Sequence, residues 1–179
     1  MRMYNQSDVV QYHNFFDEED YREIMSRTGY GSKWSFGHTS LGAEHPKYHT
    51  VTPFWKIDFA EDTFFTEHLL NKIQKKFDTS FTLHHVYANG HTYGQDGSVH
   101  VDANDSIGRT LLLYVNPTWD ITWGGATNFF LNPGEIYSVI PEGNKTVFFP
   151  GQIKHCAAPC TRNFKSLRVT IAWKLSTNG

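Results

Sequence analysis

Three side chains in the second half of the sequence could together hold a metal ion. His100 and Asp102 are separated by one residue, and in an extended backbone such side chains leave the same face and converge on one point. His155, which follows a strongly apolar strand candidate, could supply a third ligand. Two imidazoles and one carboxylate on one face of an octahedron leave the opposite face open, as a non-haem Fe(II) centre requires to bind a co-substrate and dioxygen. An H-x-D triplet alone is weak evidence, because such triplets often arise by chance.

The elements that must position these residues are two helices followed by many short strands. A strand within residues 9–16 leads into the acidic residues 17–20, which predict the start of a helix that Gly29 and Gly31 end. Residues 61–77 predict a second helix, because apolar side chains recur every four residues and lysines close it. Residues 32–53 are expected to form a structured loop before a strand at 54–59. The later strand candidates are 81–89, 97–101, 109–115, 126–131, 136–140, 145–149 and 167–175.

This order of elements predicts an α+β chain that is mainly β, with a β sandwich or jelly roll. No repeat or linker interrupts the sequence, so a single domain is expected over residues 1–179, with helical support in 1–80 and the β core in 81–179.

Composition and charge exclude several classes of protein. Hydrophobic residues make up 39% of the 179 residues and aromatic residues 16%, which indicates a globular protein. The longest apolar run, 111–115, is too short to cross a bilayer, and the opening residues lack the apolar stretch of a signal peptide. The net charge of -2 does not provide the positive field that nucleic-acid binding needs. With only Cys156 and Cys160 available, a disulfide framework is not expected, and the sequence favours a cytoplasmic protein.

Four stretches around the candidate ligands resemble one enzyme family, and they occur in the family's order. They are Tyr87-Ala88-Asn89-Gly90 with Tyr93, the segment Leu111 to Asn116, the segment Trp123 to Phe129, and His155 followed by Arg168-Val169-Thr170. The chain resembles the 2-oxoglutarate/Fe(II)-dependent oxygenases, and within them the prolyl 4-hydroxylase-like group with its compact phage and bacterial forms. The resemblance covers residues 81–175 by specific motifs and 9–77 more loosely. It implies a double-stranded β-helix (jelly roll) core with supporting N-terminal helices.

The resemblance also implies roles for particular residues. His100, Asp102 and His155 would bind Fe(II), with 2-oxoglutarate as co-substrate and O2 as oxidant. Four further residues would contact the far carboxylate of 2-oxoglutarate: Arg168, Thr170, Tyr87 and Tyr114. In the closer prolyl hydroxylases the basic residue lies nearer to the second histidine, one place earlier relative to the following Trp, where this chain has Leu167. Arg162 or Lys165 could therefore compete with Arg168.

The resemblance implies hydroxylation of a substrate C–H bond coupled to conversion of 2-oxoglutarate into succinate and carbon dioxide. The carboxylate of Asp102 favours hydroxylation over halogenation, because halogenating members have a small residue there. A prolyl residue in a peptide or protein is the expected substrate, and a free amino acid or another small molecule is the alternative. No membrane partner is expected. A non-catalytic jelly-roll binding module and a cupin-like isomerase or hydrolase are the rivals from other classes.

Several loop residues could surround the entrance to such a site. Trp34, Phe36, His38 and Trp119 could line it, or could form a satellite hydrophobic cluster. Arg109 could meet a substrate carboxylate or only water.

Overall fold

The computed structural model describes residues 3–41 and 51–177, and within these residues ten strands and two α-helices form the fold. The strands are β1 (Val10–Tyr12), β2 (Ser35–His38), β3 (Phe54–Asp58), β4 (Phe81–His91), β5 (Gly108–Tyr114), β6 (Thr127–Phe130), β7 (Ile136–Val139), β8 (Lys145–Pro150), β9 (Lys154–Ala157) and β10 (Arg168–Thr177). The helices are α1 (Glu18–Thr28) and α2 (Leu69–Phe77), with 3-10 turns at Gln6–Asp8 and Ile121–Trp123 and a π-helical turn at Phe64–His68.

The strands form two antiparallel sheets, which confirms the predicted mainly β jelly-roll architecture. The larger sheet has the order β1-β8-β5-β10-β4-β3-β2, and the smaller has the order β7-β6-β9. Strand β10 lies at the centre of the larger sheet between β5 and β4. The segment before residue 81 contributes three strands to this sheet as well as the helices.

The side chains of the central strands alternate between two cores, as the pleat of a β-sheet requires. On β5, Leu111 and Leu113 pack in the cluster that includes the helices, whereas Leu112 and Tyr114 pack in the cluster that includes β6, β7 and β8. On β10, residues 169, 171, 173 and 175 face the helices, so that residues 168, 170, 172 and 174 face the smaller sheet. This second face carries the candidate site.

Both predicted helices are present, but the second differs from its prediction. Asp17 caps α1 by accepting a hydrogen bond from Asp20 N at 3.0 Å. The continuous helix predicted at 61–77 is instead a π-helical turn at Phe64–His68 followed by α2. Apolar residues recur every four positions there, more than the 3.6 residues of an α-helical turn, so a wider first turn keeps Phe65 aimed at the core. Phe65 is fully buried, and its carbonyl accepts a hydrogen bond from Trp173 Nε1 at 3.2 Å.

The structure differs from the sequence-based expectations at three further places. Residues 97–101 do not form a strand, because only Gly97 and His100 bond to β9 and no continuous ladder connects them. The short polar strand β9 was not predicted. The loop expected at 32–53 contains β2, which pairs with β3 through an irregular register at Gly37. Residues 42–50 of that loop lie outside the described residues.

Across the part of the chain that the structure describes, no helix has the length and apolar character needed to span a membrane.

Candidate active site

The three predicted metal ligands meet in a cavity between the two sheets. One donor atom from each of His100, Asp102 and His155 lies within 4.8 Å of the other two. Nε2 of His100 lies 3.3 Å from Oδ1 of Asp102, and Nε2 of His155 lies 3.3 Å from Oδ2. Backbone hydrogen bonds run in both directions between the two histidines, at 3.1 and 3.0 Å, and fix their pairing.

The hydrogen bonds of the imidazoles suit a divalent metal. Nδ1 of His100 lies 2.8 Å from the carbonyl of Ser98, and Nδ1 of His155 lies 2.9 Å from that of Ile153. A carbonyl can only accept, so each Nδ1 carries the proton and each Nε2 presents a lone pair to the centre. Burial lowers the pKa of His155, although Asp102 acts in the opposite direction. The lowered pKa favours the neutral ring that a metal ligand needs. The donor set fits Fe(II).

Asp102 is held by two neighbours that the sequence analysis did not assign. Thr110 Oγ1 donates to Oδ2 of Asp102 at 2.6 Å, and the ammonium of Lys174 forms an ion pair with the same oxygen. Burial alone would raise the pKa of Asp102, but Lys174 and the imidazoles outweigh it and hold that pKa well below its ordinary value. Burial alone would lower the pKa of Lys174, but Tyr87 and Asp102 outweigh it and raise that pKa. Both groups are therefore charged in the fold.

Arg168 supplies a buried positive charge to the same cavity. Its side chain is among the largest that are fully buried. Its Nε donates to the carbonyl of Gly125 at 2.6 Å and its Nη2 donates to Thr127 Oγ1 at 3.1 Å. Gly125 has φ +70° and packs so closely that a Cβ there would lie 3.0 Å from Cδ of Arg168. Among the described residues no carboxylate forms an ion pair with Arg168, so its charge is available to an anion in the cavity.

Two more cavity residues carry buried polar atoms without a partner. Oδ1 of Asn89 and both ring nitrogens of His91 have no hydrogen-bond partner. Both residues line the cavity beside Arg168, which pairs with His91 across β4 and β10. Burial, with a smaller effect of Arg168, lowers the pKa of His91 to about 3, so the ring is neutral. Unpaired buried polar atoms are rare and costly in folded proteins, and here they indicate a polar ligand.

The structure separates the remaining predicted contacts. Thr170 and Tyr87 line the cavity with Arg168 and the three candidate ligands. Tyr114 lies behind the lining, where its hydroxyl donates to Thr127 Oγ1 at 2.7 Å and its ring lies 5.6 Å from the guanidinium carbon of Arg168. The competing residues Arg162 and Lys165 are exposed and line a different groove with Tyr93 and Phe164.

Of the residues expected at an entrance, His38 alone contacts cavity-lining side chains, with its ring 5.2 Å from Phe54 and 5.8 Å from Tyr87. The others pack elsewhere. Trp34 packs against the helical core, Phe36 contacts Trp55 with the two rings tilted by 56°, and Trp119 forms a satellite cluster with Trp123 and Phe164. Arg109 donates to the carbonyls of Ser106 and Gly108 and does not line the cavity.

Sequence comparison identifies the family. The family described as the 2OG-Fe(II) oxygenase superfamily matches residues 84–173, which are 90 of the 179 residues. The chain belongs to the 2OG-Fe(II) oxygenase superfamily. This oxygenase superfamily requires Fe(II), 2-oxoglutarate and O2, as the resemblance implied. No curated protein sequence matches the chain.

Solved structures share the oxygenase fold at low sequence identity. A prolyl hydroxylase from Trichoplax adhaerens, in complex with a peptide fragment of the hypoxia inducible factor oxygen degradation domain, is 15% identical with a TM-score of 0.73, over 95% of this chain and 84% of that one. A Pseudomonas putida prolyl-4-hydroxylase is 18% identical with a TM-score of 0.65, over 96% and 93%. HygX from Streptomyces hygroscopicus, with nickel, 2-oxoglutarate and hygromycin B bound, is 8% identical with a TM-score of 0.67, over 96% and 83%.

Proposed function

We propose that this oxygenase is a single-domain, Fe(II)- and 2-oxoglutarate-dependent dioxygenase that hydroxylates a prolyl residue in a peptide or protein. The observation that carries the proposal is the meeting of His100, Asp102, His155 and Arg168 in one cavity. When bound there, Fe(II) supplies the family's oxidation, in which a C–H bond gains one oxygen atom of O2 while 2-oxoglutarate becomes succinate and carbon dioxide.

In this proposal the protein's own residues bind and orient the reactants. The two Nε2 atoms and the Asp102 carboxylate would hold the metal from one side and leave the other side for the co-substrate and oxygen. Arg168 binds the far carboxylate of 2-oxoglutarate, with Thr170 beside it and the Tyr114 hydroxyl supporting Thr127 behind it. Buried groups can do this without reorganising water around the ligand.

Two observations bear on the substrate. The fold is shared with prolyl hydroxylases, one of them bound to a peptide, and this favours a prolyl substrate. HygX, with hygromycin B bound, supports a free amino acid or other small molecule as the second candidate.

The first experiment tests the site by spectroscopy without oxygen. Adding Fe(II) and 2-oxoglutarate to the wild type is expected to produce a visible charge-transfer band, because the keto acid chelates a ligated ferrous ion. The band should be lost in Asp102→Ala and in His100→Ala. It should persist in His13→Ala, which removes a surface imidazole that pairs with Glu142. A band that survives in Asp102→Ala, or is absent from the wild type, contradicts the proposal.

The second experiment tests the substrate. Aerobic incubation with a peptide library that includes proline-rich sequences should give products heavier by one oxygen atom, each matched by one succinate. Replacing the modified proline with alanine should abolish the mass gain. Succinate formation that small molecules stimulate and peptides do not would support the second candidate instead.

A further inference from the structure

A half-buried lysine shares the cavity with Arg168, and the proposed function does not use it. The side chain of Lys174 is 18% exposed and lines the cavity from the same face of β10 that carries Arg168. Between these two cations the strand presents the small side chains of Thr170 and Ala172. One wall of the cavity therefore carries a positive group at each end, with two small side chains between them.

The charges of the cavity do not balance without a ligand. Among the described residues that line it, Asp102 is the single carboxylate, whereas Arg168 and Lys174 are both cations. Buried charges need partners, and of the two cations only Lys174 forms an ion pair with Asp102 among the described residues. A divalent metal on the triad would add two positive charges and compete with Lys174 for that carboxylate. A ligand with two negative charges would then reduce the excess from three positive charges to one.

We propose that Lys174 binds the carboxylate of 2-oxoglutarate that lies nearer the metal, so that Lys174 and Arg168 grip the two ends of the dianion; this inference rests on the proposed function. A lysine ammonium has three N–H donors. The ion pair with Asp102 occupies one of them, which leaves donors for the ligand. In this proposal Lys174 contacts both 2-oxoglutarate and the carboxylate of Asp102.

The test uses three ligands that differ in their carboxylates. 2-Oxoglutarate has both, 2-oxobutanoate lacks the far carboxylate, and succinic semialdehyde lacks the near one. Their affinities are measured without oxygen on the Fe(II)-loaded protein, with the bound iron quantified for every variant. Lys174→Met should weaken binding of 2-oxoglutarate and 2-oxobutanoate about 10- to 100-fold, the value of a charge-assisted hydrogen bond. It should leave succinic semialdehyde unchanged.

Matched variants separate this role from others. Arg168→Met should show the opposite pattern, weakening 2-oxoglutarate and succinic semialdehyde but not 2-oxobutanoate. Lys75→Met removes the same charge from an exposed position on α2 and should change no affinity. Lys174→Arg keeps a cationic donor, so it should still bind the ligands that have the near carboxylate more tightly than succinic semialdehyde. It serves as the test if Lys174→Met does not fold.

The outcomes separate the role of Lys174 from the proposed function. Unchanged 2-oxoglutarate affinity in Lys174→Met, or equal losses for all three ligands, would overturn the role of Lys174, because a residue acting only through Asp102 does not distinguish the ligands' ends. If Lys174→Met does not fold, a Lys174→Arg protein without preference for the near carboxylate overturns it equally. A wild type that does not bind 2-oxoglutarate would overturn the proposed function itself.

Discussion

The ion pair between Asp102 and Lys174 predicts a strong energetic coupling in the metal-free protein. The Asp102 side chain is 5% exposed and that of Lys174 is 18% exposed, so neither charge is well solvated when its partner is removed. Removing one member of a buried pair costs about 3 to 5 kcal/mol, and replacing both is often nearly neutral. Because Lys174 keeps some contact with water, we expect the lower end. Asp102→Asn and Lys174→Met should each lower the free energy of unfolding by about 3 kcal/mol, and the double variant by much less than their sum.

The assay is urea unfolding in the presence of a chelator. With a slope of about 2 kcal/mol per M of urea, a loss of 3 kcal/mol moves the midpoint by about 1.5 M. The pair Glu18 and Arg22 on α1 provides the control, since its atoms are 3.8 Å apart and its side chains are 86% and 67% exposed, and its coupling should stay below about 1 kcal/mol. If the losses at Asp102 and Lys174 add to within about 0.5 kcal/mol, the two charges do not depend on each other and the reasoning is wrong.

Two other buried polar residues give predictions of opposite sign. Asn144 has φ +57°, and its side chain accepts a hydrogen bond from Phe16 N at 3.0 Å and donates one to Phe16 O at 2.8 Å. Asn144→Ala should therefore lower the free energy of unfolding by about 3 kcal/mol. A loss below about 1 kcal/mol in urea unfolding would contradict this. The unfolded chain protonates His91 near its ordinary pKa of 6.5 but the folded chain only near about 3, so wild-type stability should fall as the pH drops below 6.5. The His91→Leu variant lacks this loss, so its free energy of unfolding minus that of the wild type should rise by about 2 kcal/mol when the pH falls from 7 to 5. If that difference stays constant with pH, His91 has an ordinary pKa in the fold and the prediction is wrong.

The sequence predicted those parts of the site that depend on local spacing. His100 and Asp102 converge because they are one residue apart, although their segment is not the strand expected there. The alternation along β10 likewise placed Arg168 and Thr170 on one face. Local rules suffice where the neighbours in space are also neighbours in sequence.

The missed residues depend on which strands lie side by side. His91 reaches Arg168 only because β4 pairs with β10 in the register that sets these two opposite each other. Thr127 meets Tyr114 across the two sheets, and Lys174 meets Asp102 from a strand more than sixty residues away in sequence. One sequence contains no information on register across a sheet, so these contacts had no signal beyond the presence of polar residues in apolar strands.

The π-helical turn at Phe64–His68 links the number of residues in this outer segment to the packing of the core. Deleting one residue from it would allow an ordinary α-helix, but would rotate everything before the deletion by about 100° around the helix axis. Phe65 would leave its place against Trp173, the residue next to Lys174 on β10. A single deletion on the far side of the sheet would therefore displace Lys174 in the cavity, whereas a conservative substitution at an exposed position of the same turn would not.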